Sequence, residues 1–131
     1  MNAPEKAFGI QSYYELIHEG SNSNHEKMEV IVVSSQEQME GLYAQINSTR
    51  KPGLTIPEVD FKEEVLIFAY AGQKPTGGYH IAITEVEDKK VEKRFLFDLK
   101  SPQGKMVTMS VTSSFKIIKV THEDKKITAT F

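Results

Sequence analysis

Four histidines are the side chains in this sequence best suited to acid–base or metal chemistry. They are His18, His25, His80 and His122, and three of them directly precede a glutamate. Adjacent residues of a strand point to opposite faces of a sheet, so each His–Glu neighbour pair is a poor bidentate metal site. The HExxH spacing of zinc hydrolases is absent. We therefore expect no bound metal; the alternative is a metal-assisted hydrolase whose zinc site is assembled from histidines on different loops.

No motif in the sequence indicates catalysis by another route. The chain has no cysteine, which excludes thiolate nucleophiles, disulfides and zinc–cysteine sites. The GxSxG nucleophile elbow and the phosphate-binding GxxxxGK[ST] and GxGxxG motifs do not occur. Paired carboxylates such as Glu63-Glu64 and Glu123-Asp124 fall at expected turns or strand ends, where solvated charges are usual. The sequence thus predicts a protein that is not an enzyme and that has no cofactor.

One glycine-rich stretch is the strongest candidate for a binding site. Residues 72–79 read Gly-Gln-Lys-Pro-Thr-Gly-Gly-Tyr, and an apolar run precedes them. A hairpin needs only two loop residues, and a proline-stiffened loop loses less entropy when a partner binds. The alternative is that these residues only make a turn, because glycine permits positive φ and proline fixes φ. The candidate protein-binding residues are Lys74, Pro75, Thr76, Gly77, Gly78 and Tyr79.

The elements that would hold this loop are mainly strands. Residues 65–71 are almost entirely apolar, which is typical of a strand that is buried on both faces at the centre of a sheet. Shorter alternating or β-branched runs predict further strands at residues 10–17, 28–33, 79–83, 91–99, 107–112, 115–120 and 127–131. About eight short strands separated by turns favour a mainly β (α+β) fold, either an antiparallel β-sandwich or a half-open barrel.

A single helix is expected at about residues 35–47. Met39, Leu42, Tyr43 and Ile46 have the i, i+3, i+4, i+7 spacing of one apolar stripe. Two serines, at positions 34 and 35, each stand three residues before a Glu or Gln, as in a capping box. Asn47 tolerates the left-handed conformation of a helix C-cap. We expect this helix to pack on one face of the sheet.

Size and composition are those of one globular domain. The chain has 131 residues, of which 39% are hydrophobic and 26% charged, and its net charge of −2 gives no support for nucleic-acid binding. We take residues 1–131 as one domain, in which residues 1–56 supply the N-terminal strands and the helix. A membrane-spanning helix needs about 18 consecutive apolar residues, and no apolar run in the sequence is that long. The first eight residues lack the pattern of a signal peptide.

The central strand and its loop resemble the PrcB C-terminal domain family. The similarity is carried by residues 59–61, 64–67 and 72–79, and more weakly by residues 101–104 and 111–120, although the family often has a proline where this chain has Ser114. It spans about residues 57–121. Members of that family are accessory subunits that bind and stabilise a bacterial protease. The resemblance implies protein binding, with a protease as partner, in a cell-envelope or exported setting.

A fainter similarity concerns the loop alone. Residues 74–79 resemble the Asn-Pro-Thr-Thr-Gly-Tyr loop of chagasin-type cysteine-protease inhibitors, which have an immunoglobulin-like fold and insert this loop into the protease cleft. Here Lys74 replaces the asparagine and Gly77 the second threonine, and the chain lacks the tryptophan that those inhibitors also use. This resemblance implies an inhibitor-like protease-binding domain.

These observations support one leading hypothesis and one further alternative. The leading hypothesis is a non-enzymatic protein-binding module that acts through residues 72–79. The alternative is a β-sandwich that binds a carbohydrate or small ligand on an exposed platform of Tyr13, Tyr14 and Tyr70.

Overall fold

Two facing β-sheets and one α-helix make up the part of the chain that the computed structural model describes, residues 9–104 and 107–131. A short 3-10 helix at Ile10–Tyr13 comes first. The elements that follow are β1 Glu15–Gly20, β2 Met28–Val33, α1 Gln36–Asn47, β3 Glu64–Ala71, β4 His80–Asp88, β5 Glu92–Lys100, β6 Phe115–Thr121 and β7 Lys126–Thr130. The first sheet has the strand order β1-β6-β3-β2 and the second has the order β4-β5-β7. This is a β-sandwich with α+β content, as the sequence predicted.

The central position of β3 is confirmed. It pairs antiparallel with β2 on one side and with β6 on the other. Its odd-numbered apolar residues, beginning at Val65, enter the core between the two sheets, and its even-numbered ones, beginning at Leu66, enter a second core under the helix. The absence of a polar face follows from this double burial.

The helix is also confirmed, and it covers the outer face of the first sheet. The Ser35 hydroxyl accepts a hydrogen bond from the Gln38 backbone N–H at 3.2 Å, and the Gln38 side-chain oxygen accepts one from the Ser34 N–H at 3.3 Å. The Ser35 half of the predicted capping box is therefore present, and the Gln38 side chain reaches back to the N–H of the residue before the N-cap instead of the N-cap itself. The expected left-handed C-cap at Asn47 is wrong, because Asn47 is the last helical residue and the C-cap is Ser48, with a right-handed φ of −61°.

The predicted first strand at residues 10–17 is wrong in its first half. Ile10 and Tyr13 belong to the 3-10 helix and pack against the core between the sheets. Their separation of three residues suits a 3-10 turn, in which i and i+3 share a face. The strand itself begins at Glu15 and carries a bulge between Leu16 and His18.

The predicted strand at residues 107–112 does not form. This segment contains only the end of one isolated bridge, between Lys74 and Thr112. Its alternating apolar residues have no sheet to lie on, because the segment runs along the 72–79 loop. The described residues therefore form seven strands.

One strand pair departs from the expected antiparallel arrangement. β7 pairs in parallel with β5, from Glu92 opposite Lys126 to Leu96 opposite Thr130. The reason is topological: β6 lies in the first sheet, and the chain crosses to the second sheet before β7 begins. β7 is an edge strand, and β4 has a bulge between Ile83 and Glu85.

Two expectations concern the surroundings of the protein. The expected absence of a signal peptide falls on residues 1–8, which lie outside the described residues. Among the residues that are described, no helix has the length and apolar character needed to cross a bilayer.

Candidate protein-binding surface

The 72–79 loop connects the two sheets. It leaves the end of β3 in the first sheet and enters β4 in the second sheet. β3 and β4 are not paired with each other, so the loop is not the tip of a hairpin. Its length beyond a two-residue turn is explained by the distance between the sheets, and loop length by itself is not evidence of a binding role.

The beginning of the loop is fixed against the first sheet. Gly72 has a φ of +80°, and a Cβ there would lie 2.9 Å from the backbone nitrogen of Met28. The N–H of Gln73 donates to the carbonyl of Glu26 at 3.1 Å. Glycine is therefore required at position 72 for both conformation and space.

The middle of the loop is hydrogen-bonded to residues 107–112. Lys74 and Thr112 exchange backbone N–H···O bonds, each of 2.8 Å. The Thr112 hydroxyl donates to the Thr76 carbonyl at 2.8 Å, and the Gly77 N–H donates to the Thr108 carbonyl at 2.8 Å. The two segments thus form one surface, and we call residues 72–79 and 107–112 together the crossover surface.

The end of the loop is held by the connection between β5 and β6. Gly78 has a φ of +91°, and a Cβ there would come within 2.7 Å of Pro102. The Ser114 hydroxyl donates to the Tyr79 carbonyl at 3.1 Å. The Lys74 ammonium lies 5.7 Å from the centre of the Tyr79 ring, within the range of a cation–π contact.

All six candidate residues are part of this surface, with different exposure. Pro75 and Gly78 are exposed, and the remaining four are half-buried. The Thr76 hydroxyl already donates to the Gly77 carbonyl at 3.2 Å. Pro75 and the Lys74 ammonium are therefore the loop groups best placed to meet a partner.

Two apolar residues that the sequence placed in a buried strand are exposed on the same surface. The exposed fractions are 82% for Met109 and 61% for Val111. Alternation of apolar and polar residues is the same for a half-buried strand and for a segment lying on the surface, so the pattern alone does not distinguish them. The one local sign was that Thr and Ser are the only residues between the apolar positions.

Three of the four histidines make structural contacts: His18, His25 and His122, whose Nδ1 accepts a hydrogen bond from the Asp124 N–H at 3.1 Å, while His80 is exposed. His18 Nδ1 lies 2.9 Å from the Tyr43 hydroxyl, and burial, with a smaller effect from Arg50, lowers the pKa of His18. His25 lies with Nε2 2.6 Å from a Glu29 carboxylate oxygen and Nδ1 3.0 Å from the Gln45 side-chain oxygen. Over residues 9–104 and 107–131, no three His, Asp or Glu residues form a group suited to a metal.

The three tyrosines do not form a platform. Tyr70 is fully buried under the helix, where it stacks on His25 with 3.9 Å between ring centres. Tyr13 and Tyr14 pack against the other face of the first sheet, on the core between the sheets. The aromatic surface on which carbohydrate binding would depend is therefore absent at these residues.

Comparison with known proteins identifies the segment that carries this surface. A family model described as PrcB C-terminal matches residues 65–121, which run from β3 to β6 and include the whole crossover surface. The match begins eight residues later than the resemblance predicted from the sequence. Searches of curated proteins and of solved structures each found no match. Residues 65–121 of this chain are therefore similar to the PrcB C-terminal family.

Proposed function

We propose that this protein is a non-enzymatic protein-binding module and that the crossover surface is its binding site. The observation that carries the proposal is the exposure of Met109 and Val111 beside a rigid loop. Exposed large apolar side chains that lie together are typical of protein-binding surfaces. Because hydrogen bonds already fix the loop, little further order has to be imposed when a partner binds.

The surface suggests the chemistry of the partner. Met109, Val111 and Pro75 offer apolar contact area, and methionine adapts well to partner surfaces. Lys74 lies at the side of this area, and the described residues include no carboxylate within 4.0 Å of its ammonium. An apolar patch with an acidic residue at its margin would complement this arrangement.

We further propose that the partner is a protease and that the protein works in the cell envelope or outside the cell. The similarity of residues 65–121 to the PrcB C-terminal family supports this, since that resemblance implies an accessory role toward a protease. An accessory role and an inhibitor-like role differ in their effect on the partner: the first leaves proteolysis intact, and the second blocks it.

The test is quantitative capture from the cell envelope and culture fluid of the native organism. The wild-type protein should recover a protein that the Lys74→Ala/Thr76→Ala variant recovers at least about tenfold less, equivalent to ~1.4 kcal/mol of binding free energy. Met109→Asp should reduce recovery similarly, because it places a charge in the apolar contact. Lys90→Ala, in an exposed turn outside the crossover surface, is the control and should recover the wild-type amount.

Stability measurements separate binding from folding. The double variant should keep the wild-type melting temperature to within about 2 °C, because the bonds that tie the loop to residues 107–112 use the backbone of Lys74, Thr76 and Gly77, which both substitutions leave in place. If it instead fails to fold, residues 72–79 serve as a turn only. Equal recovery by the wild type and both surface variants would rule out the crossover surface as the binding site.

A further inference from the structure

A pocket with a volume of about 290 Å³ opens at the edge of the crossover surface. Gln73, Val111 and Thr112 of that surface line one part of it. The remaining lining comes from Ser113 and from the connection between β1 and β2, residues 21–27. The pocket therefore continues the apolar contact area to which the protein-binding function is assigned above.

Backbone hydrogen bonds join the segments that form this pocket. The Ser23 N–H donates to the Ser113 carbonyl at 2.9 Å, and the Ser113 N–H donates to the Ser21 carbonyl at 2.9 Å. The Gln73 N–H donates to the Glu26 carbonyl at 3.1 Å. The pocket is thus already formed in the free protein, and a side chain that enters it has little to order.

Several hydrogen-bond donors on the lining side chains are already used. The His25 ring has Nε2 2.6 Å from a Glu29 carboxylate oxygen and Nδ1 3.0 Å from the Gln45 side-chain oxygen. The Asn24 side-chain amide donates to the helix end, with 2.9 Å to the Gln45 carbonyl. The Thr112 hydroxyl donates to a loop carbonyl at 2.8 Å. The pocket therefore has little to offer an anion, which needs free donors.

The Glu26 carboxylate is a free acceptor at the same place. Glu26 is exposed and lines the pocket, and no side-chain hydrogen bond or ion pair joins it to any other residue that the structure describes. Two cations close to it in the fold make other contacts. The Lys27 ammonium lies 4.0 Å from Glu29, and the Arg50 guanidinium lies over the Phe115 ring, 5.6 Å from its centre.

We propose that this pocket binds an arginine side chain of the partner protein, with the guanidinium on the Glu26 carboxylate and the methylene stem along Val111. A guanidinium group has five N–H donors and no acceptor, which complements a free carboxylate among used donors. Its planar fork binds a carboxylate through two parallel hydrogen bonds, and arginine is enriched among the residues that dominate protein interfaces. This inference rests on the proposed function, because it names a residue of the protein that the crossover surface binds.

The position of Lys74 adds a second requirement on the partner. The Lys74 ammonium lies 5.7 Å from the centre of the Tyr79 ring, and neither residue lines the pocket. The surface thus presents a carboxylate at the pocket and an ammonium at a separate place. A partner that fits both has an arginine and an acidic residue at different positions around its apolar contact.

The probe is N-acetyl-arginine methylamide, which carries one guanidinium and has no terminal charges. In an NMR titration of the whole chain, it should shift the amide resonances of Gln73, Val111 and Ser113, with a dissociation constant of roughly 1–10 mM. The lysine analogue should bind at least about threefold more weakly, because an ammonium lacks the planar fork. The citrulline analogue has nearly the same shape without the charge and should leave these resonances unchanged.

Glu26→Gln is the matched variant. It removes the charge and keeps the backbone carbonyl that accepts from Gln73, so it should fold normally and bind the arginine probe at least about fivefold more weakly. Glu58→Gln is the control, because Glu58 is also exposed but does not line the pocket. This control should bind the probe with the wild-type affinity.

The capture experiment connects the pocket to the partner. Glu26→Gln should recover at least about fivefold less of the captured protein than the wild type does. The inference is overturned if the arginine probe shifts none of the pocket resonances, if the lysine analogue binds as tightly, or if Glu26→Gln recovers the wild-type amount. The proposed function fails by a different result, in which Lys74→Ala/Thr76→Ala and Met109→Asp recover the wild-type amount.

Discussion

Two buried tyrosines under the helix differ in whether their hydroxyl groups are satisfied. The Tyr43 hydroxyl lies 2.9 Å from His18 Nδ1. The Tyr70 hydroxyl is buried and has no hydrogen-bond partner within residues 9–104 and 107–131. Burial raises the pKa of both side chains, because the charged phenolate is poorly solvated there. An unsatisfied buried hydroxyl costs roughly 1–3 kcal/mol.

This contrast predicts opposite effects of the same substitution. Tyr70→Phe removes an unsatisfied group and keeps the ring that stacks on His25, so it should raise the free energy of unfolding by about 1 kcal/mol. Tyr43→Phe leaves His18 without its partner and should lower the free energy of unfolding by about 1 kcal/mol. Urea unfolding of both variants provides the measurement. A clear loss of stability in Tyr70→Phe would show that its hydroxyl is hydrogen-bonded in solution.

Lys93 is a residue whose burial could not be predicted from the sequence. The apolar alternation of β5 was expected to begin at Val91, but Val91 is exposed and Lys93 is only 2% exposed. Its ammonium donates to the Thr121 carbonyl at 3.1 Å and contacts the Glu123 carboxylate at 3.0 Å. One acceptor is at the end of β6 and the other is in the turn that follows it, both about thirty residues later in the chain. Local pattern cannot foresee a buried lysine whose partners are so distant in sequence.

At the scale of an element, the helix also has features that the sequence predicts and one that it does not. Its apolar stripe and its N-terminal cap are local features, and both were predicted. Its C-terminal carbonyls have local donors in Ser48 and Arg50, and they have a further donor from elsewhere in the chain. Asn24, with a φ of +63°, donates its side-chain amide to Gln45 O at 2.9 Å and to Ile46 O at 3.3 Å. No rule based on the residues after Asn47 could have found the contribution of Asn24 to this cap.

Asn24 is therefore expected to stabilise the helix end in two ways. Asn24→Ala loses the amide donor and also places alanine in the left-handed region, which costs roughly 1–2 kcal/mol. Asn24→Gly loses only the donor, and each such hydrogen bond contributes roughly 0.5–1.5 kcal/mol. In urea unfolding, the wild type should be the most stable protein, Asn24→Gly should be less stable, and Asn24→Ala should be the least stable. Faster amide hydrogen exchange in the last helical turn should accompany both variants; unchanged exchange would contradict the cap.

The strands and loops differ in how far their sequences could predict them. β3 was recognisable because nearly all of its positions are apolar, and only a strand buried on both faces has that composition. The candidate loop residues came together because they are contiguous in the chain. Met109 and Val111 were placed wrongly, since burial of an alternating segment depends on whether a sheet is available beside it.

At the scale of the whole molecule, the segment matched by the family model, residues 65–121, is only part of the structure that packs together. Residues 65–121 contain most of β3, together with β4, β5 and β6. They lack β2, which pairs with β3, and the helix that covers Leu66 and Phe68. They also lack β7, the parallel neighbour of β5.

A fragment of residues 65–121 should therefore not fold alone. Its bare apolar face and unpaired strand edges favour unfolding or aggregation. In this fragment we expect poorly dispersed amide resonances in the NMR spectrum and no near-ultraviolet circular dichroism signal. Residues 9–131 should give well-dispersed amide resonances and a near-ultraviolet signal, as a folded core does. A cooperative thermal transition in the shorter fragment would contradict this view.

The hydrogen bonds between the 72–79 loop and residues 107–112 have a mechanical consequence. The two connections run between the same pair of sheets and clasp each other at one end of the sandwich. Pulling the sheets apart from that end must break this clasp before the core can open. A protein seated across it would hold both connections at once, slowing the opening motion and lengthening the lifetime of the folded chain against proteolysis.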